Sequence, residues 1–403
     1  MTRLYAGVDI GGSHVAVGLV DEVGNLVFTV DHQLLSNATL TADEVTDIMY
    51  DLIAQATFTL FDRDGGGSGE GELVYDGKFN SHIATVGIGC PGHCNNGVLV
   101  AASNLPLLKN APLAAKLSAR LDNIPVVLVN DADAAVAAEV WSRETSSTYR
   151  HANNVAMITL GTGIGVGLVL QRRLFSGSNG LVEAGHMIVP LPGPGGDAEK
   201  GAPSSSRRCG CGQLNCIETF ASAKAVAMRY AEAVAAASRA SGSNSNSNSD
   251  SNSNAVDTKS VFHLAANGDA IAERIIDEAA KSLAVLVVNL CRVVDPDVII
   301  FGGGMSQAGE ALLHRVRAHV KSTTWTVLPT TVQLVVAKSS VNAGIIGAAM
   351  AGKHEAVSAG GQEDGAFGQL MRLHGKKILA VSTAVSIASL AALLALLLRS
   401  RGK

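Results

Sequence analysis

The sequence predicts a two-lobed α/β fold in which one structural unit occurs twice along the chain. In each half, two apolar segments surround a glycine-rich turn, and a fully apolar segment and several helices follow. A short apolar segment without alternating polar residues is typical of a strand that is buried on both faces. The repeated order of hairpin, buried strand and helices therefore indicates a duplicated α/β unit with a cleft between its two copies.

The predicted elements follow the apolar periodicity of each half. The first lobe is predicted at 1–121, closed by a helix at about 341–353, and the second lobe at 122–340, with a disordered Ser/Asn-rich insertion at 241–254. The predicted strands are 4–10, 15–20, 26–33, 83–89, 126–129, 154–160, 166–170, 298–301 and 332–336. The predicted helices are 42–61, 111–121, 132–141, 221–237, 270–293, 308–320 and 343–351.

Composition limits the classes of function that the chain can have. Its 403 residues include 43 glycines and are 47% hydrophobic, which is typical of a globular protein with many tight turns. The formal net charge is -4, from 31 basic and 35 acidic residues, and no basic run is interleaved with aromatic residues. Nucleic-acid binding is therefore not expected. No charged segment followed by an apolar core precedes residue 4, so no cleavable signal is expected either.

The carboxyl-terminal segment differs from the rest of the chain. Residues 378–398 carry no charge, and basic residues flank them on both sides. A helix of this length would be about 30 Å long, enough to cross the apolar core of a bilayer. We therefore expect a linker at 354–375 and a tail-anchor helix at 376–399, on the mitochondrial outer membrane or the endoplasmic reticulum, with the remaining chain in the cytosol. The alternative is a buried carboxyl-terminal helix of the globular core.

Four residues with metal-binding side chains lie close together in the middle of the chain. One imidazole and three thiols suit a closed tetrahedral zinc site, which is usually structural because no position is left for water. Glycines beside the cysteines allow a tight turn around an ion. The alternative is a set of buried free thiols beside a core histidine, as we expect for Cys90, Cys94 and Cys291. The predicted zinc ligands are His186, Cys209, Cys211 and Cys216.

Three glycine-rich turns follow predicted strands and could hold a nucleotide. Glycines let backbone N–H groups approach phosphate oxygens, and an aspartate at a strand end is placed to hold a hydrated magnesium ion. The last turn, which we expect to open a helix, would support an adenosine or its phosphates. Each turn taken alone is also explained as an ordinary hairpin or strand-to-helix turn. The residues assigned to the nucleotide and its magnesium ion are Asp9, Gly11, Gly12, Ser13, Gly161, Thr162, Gly163, Gly303 and Gly304.

The buried strand at 126–129 is followed by Asn130-Asp131-Ala-Asp133. A carboxylate that faces the cleft from this position could take the proton from an attacking hydroxyl group, and Asp131 is nearest to the strand end. Asp133 is the weaker candidate, because it could instead cap the following helix. One ring nitrogen of His186 would bind zinc, and the other could donate to a substrate hydroxyl group.

Taken together, these motifs resemble the ROK family of sugar kinases over about residues 4–353. The most specific element is Glu183-x-Gly-His186, followed by Cys-x-Cys-Gly-x-x-x-Cys-x-Glu218. The other matching segments, in the family's order, are Asp9-Ile-Gly-Gly-Ser13, Gly89-Cys-Pro-Gly92, Asn130-Asp131 and Gly161-Thr-Gly-Ile-Gly165. The resemblance implies an actin-like, ribonuclease-H-like duplicated fold with ATP in the interlobe cleft.

The same resemblance implies phosphorylation of a hexose on its 6-hydroxyl group, with Asp131 as the catalytic base. It also implies a zinc site, and a homodimer is what the family suggests. No helix-turn-helix domain precedes residue 4, so the repressor branch of the family is disfavoured. The sugar-binding set that the resemblance implies is Asn104, Asn130, Asp131, Glu183, His186 and Glu218.

Three features depart from the family pattern. Ser13 and His14 stand where the family usually has Thr and Lys, so a hydroxyl group is kept and a fixed positive charge is lost. Asn215 replaces the customary glycine before the last cysteine, and Asn tolerates left-handed backbone geometry better than most residues. An insertion at 192–208 is longer than in bacterial glucokinases of the family and is similar to one in some N-acetylglucosamine kinases.

We therefore expect an ATP-dependent hexose kinase in which Asp131 deprotonates the sugar 6-hydroxyl group. Magnesium and the glycine turns would neutralise the charge that develops on the phosphates. Glucose is the expected substrate, and N-acetylglucosamine or N-acetylmannosamine is the alternative. A non-catalytic sugar sensor is a further alternative, which the presence of Asp131 disfavours.

Overall fold

Two five-stranded β-sheets, one from each half of the chain, form the framework of residues 1–353 in the computed structural model. These residues make up one compact unit, and residues 354–403 form a second unit. The structure describes residues 3–11, 14–33, 39–62, 78–102, 105–142, 148–149, 151–189, 206–240, 256–338 and 342–364, the side chains of residues 33 and 357–364 excepted.

Each half of the chain contributes a hairpin, parallel strands and flanking helices. The strands are β1 (Leu4–Ile10), β2 (His14–Val20), β3 (Leu26–Gln33), β4 (Ile83–Cys90), β5 (His93–Asn95), β6 (Val98–Ala101), β7 (Val126–Asn130), β8 (Val155–Leu160), β9 (Ile164–Leu170), β10 (Arg173–Leu174), β11 (Val298–Gly302) and β12 (Gln333–Val336). The α-helices are α1 (Ala42–Asp62), α2 (Leu113–Arg120), α3 (Asp131–Trp141), α4 (Glu218–Ala221), α5 (Ala223–Ala240), α6 (Thr258–Ala266), α7 (Ala270–Val293), α8 (Glu310–Thr323) and α9 (Ala343–Asp364).

The two main sheets have the same topology. The strand order is β3-β2-β1-β4-β7 in the first sheet and β10-β9-β8-β11-β12 in the second. In both sheets the first three strands of this order pair antiparallel, and the last two strands join in parallel. The shared topology confirms the predicted two-lobed, duplicated α/β fold. Strands β5 and β6 form a separate hairpin.

Strand β7 belongs to the first sheet, although the prediction placed residues 122–340 in the second lobe. Cys90 at the end of β4 pairs with Asn130 at the end of β7, and Asp9 of β1 pairs with Gly89. A parallel pair needs a crossover connection, which α2 supplies between β4 and β7. Because β1, β4 and β7 run in parallel, their carboxyl ends lie at one edge of the sheet, where binding sites of α/β proteins usually form.

Helix α3 packs closely against both sheets and against α9. A Cβ on Gly167 of β9 would lie 2.3 Å from the carbonyl oxygen of Ala132. A Cβ on Gly347 of α9 would lie 1.8 Å from the carbonyl oxygen of Ala134, so only glycine permits this approach of two helices. Buried side chains from β7, β8, β11 and the two helices form one shared apolar core. This packing fixes the first residue of α3, Asp131, relative to both lobes.

Helix α9 is longer than predicted, because it runs from Ala343 to Asp364 and enters the segment predicted as a linker. Among the described residues, no helix is long and apolar enough to cross a membrane; even the 24-residue helix α7 carries several charged side chains. This finding contradicts the predicted membrane localisation. The predicted anchor at 376–399 itself lies outside the described residues, as does the Ser/Asn-rich tract at 241–254.

Candidate active site

The carboxyl ends of β1 and β7 bring Asp9, Asn130 and Asp131 to one edge of the first sheet. Asn130 caps α3, because its Oδ1 atom accepts a hydrogen bond from the N–H of Ala132 at 2.8 Å. Its Nδ2 atom donates to the carbonyl oxygen of Gly92 at 2.8 Å. Asn130 therefore joins the loop after β4 to the start of α3 and fixes the backbone that carries Asp131.

Asp131 is the first residue of α3, and its side chain is exposed at the sheet edge. Its Oδ1 atom accepts a hydrogen bond from the N–H of Ala132 at 2.8 Å. Desolvation by the surrounding protein raises the pKa of Asp131, and hydrogen bonds from the backbone N–H groups of Ala132 and of Asp131 itself oppose this rise. A carboxylate with a raised pKa is a stronger proton acceptor, so Asp131 has the position and the electrostatics of a general base.

Asp9 lies at the end of β1, beside the start of helix α9. A Cβ on Gly344 would lie 2.4 Å from Asp9 Oδ2, so a side chain at the start of α9 would displace this carboxyl group. Desolvation raises the pKa of Asp9, the charge of His14 lowers it, and the charge of Asp131 raises it. Asp9 and Asp131 are therefore close enough to influence each other across the sheet edge.

The first glycine turn is only partly described. The imidazole of His14 covers Gly11, since a Cβ on Gly11 would lie 2.5 Å from His14 Cε1. The side chain that stands in place of the family's lysine therefore folds back over Gly11. Three further predicted contacts, Gly12, Ser13 and Asn104, lie outside the described residues.

The second glycine turn, between β8 and β9, is held by the segment that follows the cysteines. The N–H of Gly161 donates to the carbonyl oxygen of Gly163 at 3.0 Å, which closes the turn. The N–H of Ile164 donates to Glu218 Oε2 at 3.0 Å, and the N–H of Ala223 donates to the carbonyl oxygen of Gly161 at 2.9 Å. The position of this turn is therefore set by helices α4 and α5.

The third glycine segment lies beside the second turn, because β11 pairs in parallel with β8. Gly303 has a φ of 81°, and a Cβ on it would lie 2.6 Å from the carbonyl oxygen of Leu160, so only glycine fits. A 3₁₀ helix at Gly304–Ala308 follows, and α8 begins only at Glu310. The glycines were expected to open a helix, and the helix they open is this 3₁₀ helix; Gly309, with a φ of 56°, separates it from α8.

The four predicted metal ligands lie together. One donor atom from each of His186, Cys209, Cys211 and Cys216 lies within 4.8 Å of all the others. Cys209 Sγ is 3.5 Å from His186 Nδ1, and Cys211 Sγ is 3.6 Å from Cys216 Sγ. Zn–S bonds of about 2.3 Å and Zn–N bonds of about 2.0 Å place the ligand atoms of a tetrahedron about 3.5–3.8 Å apart. The donor set and its spacing therefore fit a zinc ion.

The backbone around the cysteines has left-handed geometry. Gly212 has a φ of 94°, and Asn215 has a φ of 63°. Asn215 Oδ1 accepts a hydrogen bond from the N–H of Arg207 at 2.8 Å, and the N–H of Val189 donates to the carbonyl oxygen of Asn215 at 2.9 Å. Asn215 therefore adopts a conformation that favours glycine and adds a side-chain hydrogen bond to it.

Two carboxylates flank the metal-binding cluster. Glu218 Oε1 lies 3.4 Å from Cys209 Sγ. Glu183 directly precedes the short 3₁₀ helix that ends at His186. Desolvation raises the pKa of Glu183, the charge of His186 lowers it, and the charge of Asp131 raises it. The fold therefore brings Glu183, which follows β10 in the second half, close to Asp131 at the end of β7.

Asp133 has a partner that the sequence analysis missed. It is only 5% exposed, and its Oδ2 atom accepts a hydrogen bond from Ser176 Oγ at 2.6 Å. It does not cap α3, because Asn130 occupies that position. Desolvation raises the pKa of Asp133 to about 7; Ser176 opposes the rise, and the charges of Asp131 and Glu183 add to it. The two partners are 43 residues apart, so no local pattern reveals the pair.

The fold and the site together define a class of protein: two similar α/β lobes, carboxylates and glycine turns at converging strand ends, and a Cys3His cluster beside them. The sequence model of the ROK family matches residues 71–355. The chain belongs to the ROK family, and this confirms the expectation drawn from its motifs.

Comparisons with known proteins agree with this membership. The chain is 31% identical over 346 residues to the glucokinase of Thermotoga maritima, and the alignment covers 85% of this chain and 95% of that protein. It is 30% identical over 308 residues to the N-acetyl-D-glucosamine kinase of Salmonella paratyphi B, with 75% and 84% covered. It is also similar to the crystal structure of a ROK family glucokinase from Streptomyces griseus in complex with glucose and AMPPNP. That match has a TM-score of 0.60 and 26% identity, and it covers 87% of this chain and 99% of that one.

Proposed function

We propose that this protein is an ATP-dependent hexose kinase that transfers the γ-phosphate of ATP to the 6-hydroxyl group of glucose. Family membership and the similarity to a glucokinase and to an N-acetyl-D-glucosamine kinase support the proposal. The observation that carries it is the position of Asp131. Its carboxylate stands at the start of a helix that packs against both lobes, within electrostatic reach of Asp9 and Glu183.

Asp131 is the general base in this proposal. Its carboxylate accepts the proton of the sugar 6-hydroxyl group while the hydroxyl oxygen attacks the γ-phosphorus of ATP in line. The bond from the γ-phosphorus to the bridging oxygen breaks, and its electron pair stays with ADP. Phosphoryl transfer of this kind depends mainly on positioning and on stabilisation of charge. Asn130 contributes to positioning, because its side chain fixes the start of α3.

Three side chains around the metal-binding cluster form the proposed sugar site. Glu183 and Glu218 carry acceptor oxygens for sugar hydroxyl groups. His186 has one nitrogen, Nδ1, directed at Cys209, so its other ring nitrogen remains for a hydroxyl group of the sugar. Zinc, when bound by the four ligands, would fix this segment of the chain and have a structural role, because a closed set of four leaves no position for water.

The two glycine segments of the second lobe form the proposed nucleotide site. Thr162 is exposed at the tip of the turn, and the space beside Gly161 is open, with no atom within 4 Å of where a Cβ would lie. Backbone N–H groups of Thr162 and Gly163 would therefore bind phosphate oxygens beside Gly161, whose own N–H closes the turn, while Gly303 and Gly304 would face the adenosine. Asp9 is placed to hold a hydrated magnesium ion, which supplies positive charge to the phosphates when bound.

An N-acetylated amino sugar is the second candidate substrate, since the chain is also similar to an N-acetyl-D-glucosamine kinase over 308 residues. Such a substrate would use the same base and the same nucleotide site, and it would need space for the acetyl group beside the 2-position of the ring. A homodimer stays a prediction from the family resemblance.

ATP turnover by the purified full-length chain tests the proposal. We would assay glucose, mannose, fructose, N-acetylglucosamine and N-acetylmannosamine, with 6-deoxyglucose as the control that lacks the accepting hydroxyl group. Highest kcat/KM with glucose and no ADP release with 6-deoxyglucose is the expected result. Highest kcat/KM with an N-acetylated sugar would mean that this sugar, and not glucose, is the substrate, and the proposed mechanism would be unchanged. Sugar binding without turnover on all five would favour a non-catalytic sensor instead.

A further inference from the structure

The segment between β10 and the 3₁₀ helix Ala184–His186, which we call the 176–183 loop, contacts the first half of the chain. At its start, Ser176 Oγ donates a hydrogen bond to Asp133 Oδ2 at 2.6 Å. Asp133 lies in the first turn of α3 and is 5% exposed. A hydrogen bond from the half-buried Ser176 to the buried Asp133 therefore joins the start of the 176–183 loop to the helix that begins with Asp131.

The middle of the 176–183 loop rests against β5. The carbonyl oxygen of Asn179 lies 2.5 Å from His93 Nε2. Gly180 has a φ of 64°, and a Cβ on it would lie 2.0 Å from the carbonyl oxygen of Cys94. A backbone oxygen cannot move aside as the end of a side chain can, so only glycine fits here. Contacts with α3 and β5 therefore hold the loop at three places.

The end of the 176–183 loop is Glu183. The carbonyl oxygen of Glu183 accepts a hydrogen bond from the N–H of His186 at 3.0 Å, so the two predicted sugar-binding residues move together. The charges of Asp131 and Glu183 both raise the pKa of Asp133, so the three carboxyl groups interact electrostatically. A displacement of the loop would therefore change the distance between Glu183 and the proposed base.

We propose that Asp133 is a positioning residue for the sugar: through Ser176 it holds the 176–183 loop, and with it Glu183, against the helix that carries Asp131. This inference rests on the proposed hexose kinase function. A carboxyl group at position 133 does not increase the stability of the fold, because a buried ionisable group lowers stability unless it is fully paired. The rise of the pKa of Asp133 to about 7 through desolvation reflects that penalty.

Steady-state kinetics of the full-length chain test the positioning role. Asp133→Ala and Ser176→Ala each remove one side of the hydrogen bond, and Asp133→Asn keeps an oxygen acceptor for the Ser176 hydroxyl group. Loss of one buried hydrogen bond corresponds to about a tenfold change in an equilibrium constant. We expect the KM for the hexose to rise about tenfold in both alanine variants, with kcat and the KM for ATP within about threefold of wild type. Asp133→Asn should restore the hexose KM.

Ser282→Ala is the control for loss of a serine hydroxyl group that donates a side-chain hydrogen bond. Ser282 is fully buried on α7, and its Oγ atom donates to the carbonyl oxygen of Glu278 at 2.9 Å. It lies outside the 176–183 loop, so its removal should leave the hexose KM unchanged. A rise of the hexose KM in Ser282→Ala equal to that in Ser176→Ala would assign the effect to general destabilisation and overturn the proposal.

Gly180→Ala tests the loop while Asp133 stays intact. The added Cβ would force the loop away from Cys94, so the hexose KM should rise as in Ser176→Ala. Gly177→Ala is its matched control. Gly177 also has a positive φ, 78°, but a Cβ on it would lie 3.4 Å from its nearest neighbour, the side chain of Val182. Both variants share the backbone strain, and only Gly180→Ala should raise the hexose KM strongly.

Calorimetric titration of the hexose without ATP gives the second readout, and its Kd should rise by the same factor as the KM. An unchanged hexose KM in Ser176→Ala and Gly180→Ala, or an equal rise in the KM values for ATP and hexose, would overturn the proposal even if Asp133→Ala does not fold. A wild-type chain that phosphorylates no hexose would instead refute the proposed function, and the titration would still decide whether the loop positions a bound sugar.

Discussion

Glu218 accepts a hydrogen bond from the backbone N–H of Ile164 at 3.0 Å. The other oxygen of the same carboxylate lies 3.4 Å from Cys209 Sγ. A Cβ on Gly163 would lie 2.4 Å from Glu218 Oε2, so this carboxylate rests directly on the second glycine turn. One side chain thus connects the metal-binding cluster to the turn that we assign to the phosphates of ATP.

Replacement of Glu218 should therefore affect nucleotide binding as well as sugar binding. Glu218→Ala leaves the N–H of Ile164 without its acceptor, and we expect the KM for ATP to rise about tenfold. Glu218→Gln keeps an amide oxygen for this N–H and should leave the KM for ATP within about threefold, while the hexose KM rises. Glu310→Ala, which removes an exposed carboxylate paired with Arg317, is the control in the same kinetic assay. An unchanged KM for ATP in Glu218→Ala would contradict the connection.

Replacement of Asp131 by Asn should remove turnover and leave sugar binding intact. An amide cannot accept the proton of the sugar hydroxyl group, and general-base catalysis contributes about 100-fold to 10,000-fold. We expect kcat to fall at least about 100-fold, and the Kd for the hexose, measured by calorimetry, to stay within about threefold. Asp43→Asn, at an exposed carboxylate on α1, is the control. A near-normal kcat in Asp131→Asn would show that another group accepts the proton.

Removal of one cysteine ligand should release the metal and lower stability. Elemental analysis of the purified wild-type chain should find about one zinc per chain, and Cys216→Ser should reduce this value towards zero. We expect the unfolding temperature to fall by about 5 °C or more, because a structural zinc ion contributes directly to folding free energy. Cys291→Ser is the control, since Cys291 is a buried thiol that contacts the Thr330 hydroxyl group, away from the cluster. Full zinc content in Cys216→Ser would exclude this ligand set.

The raised pKa of Asp133 makes stability depend on pH. Its pKa rises from 3.8 to about 7 on folding, so the folded state binds more protons between these values, and stability falls as the pH rises through this window. Asp133→Asn removes this titration. We therefore expect its stability relative to wild type to increase by about 2–3 kcal/mol between pH 5 and pH 8, measured by urea unfolding. Ser176→Ala should retain the pH dependence. If the free energy of unfolding of Asp133→Asn changed with pH in the same way as that of wild type, the raised pKa would not belong to Asp133.

Much of the fold follows from local patterns that the sequence displays directly. Every strand of the two main sheets except β10 coincides closely with a predicted apolar run, and burial on both faces leaves few polar residues in the central strands. Helix α6 was missed, because it is short and follows the Ser/Asn-rich tract. The sheet to which β7 belongs was also missed. Strand pairing depends on which surfaces meet in the folded chain. The sequence near residue 121 contains no local pattern that shows which sheet the next strand joins.

Part of the candidate site was likewise predicted from the sequence, and part of it depends on the tertiary structure. Residue types and spacing alone predicted the Cys3His ligand set, the glycine turns and the carboxylate of Asp131, because metal ligation and close backbone approach demand particular side chains. Only the tertiary structure paired Asp133 with Ser176 and Glu218 with Ile164, which are 43 and 54 residues apart. Such pairs form when segments that are far apart in the sequence pack against each other. Their geometry is set by that packing, so no periodicity of neighbouring residues encodes it.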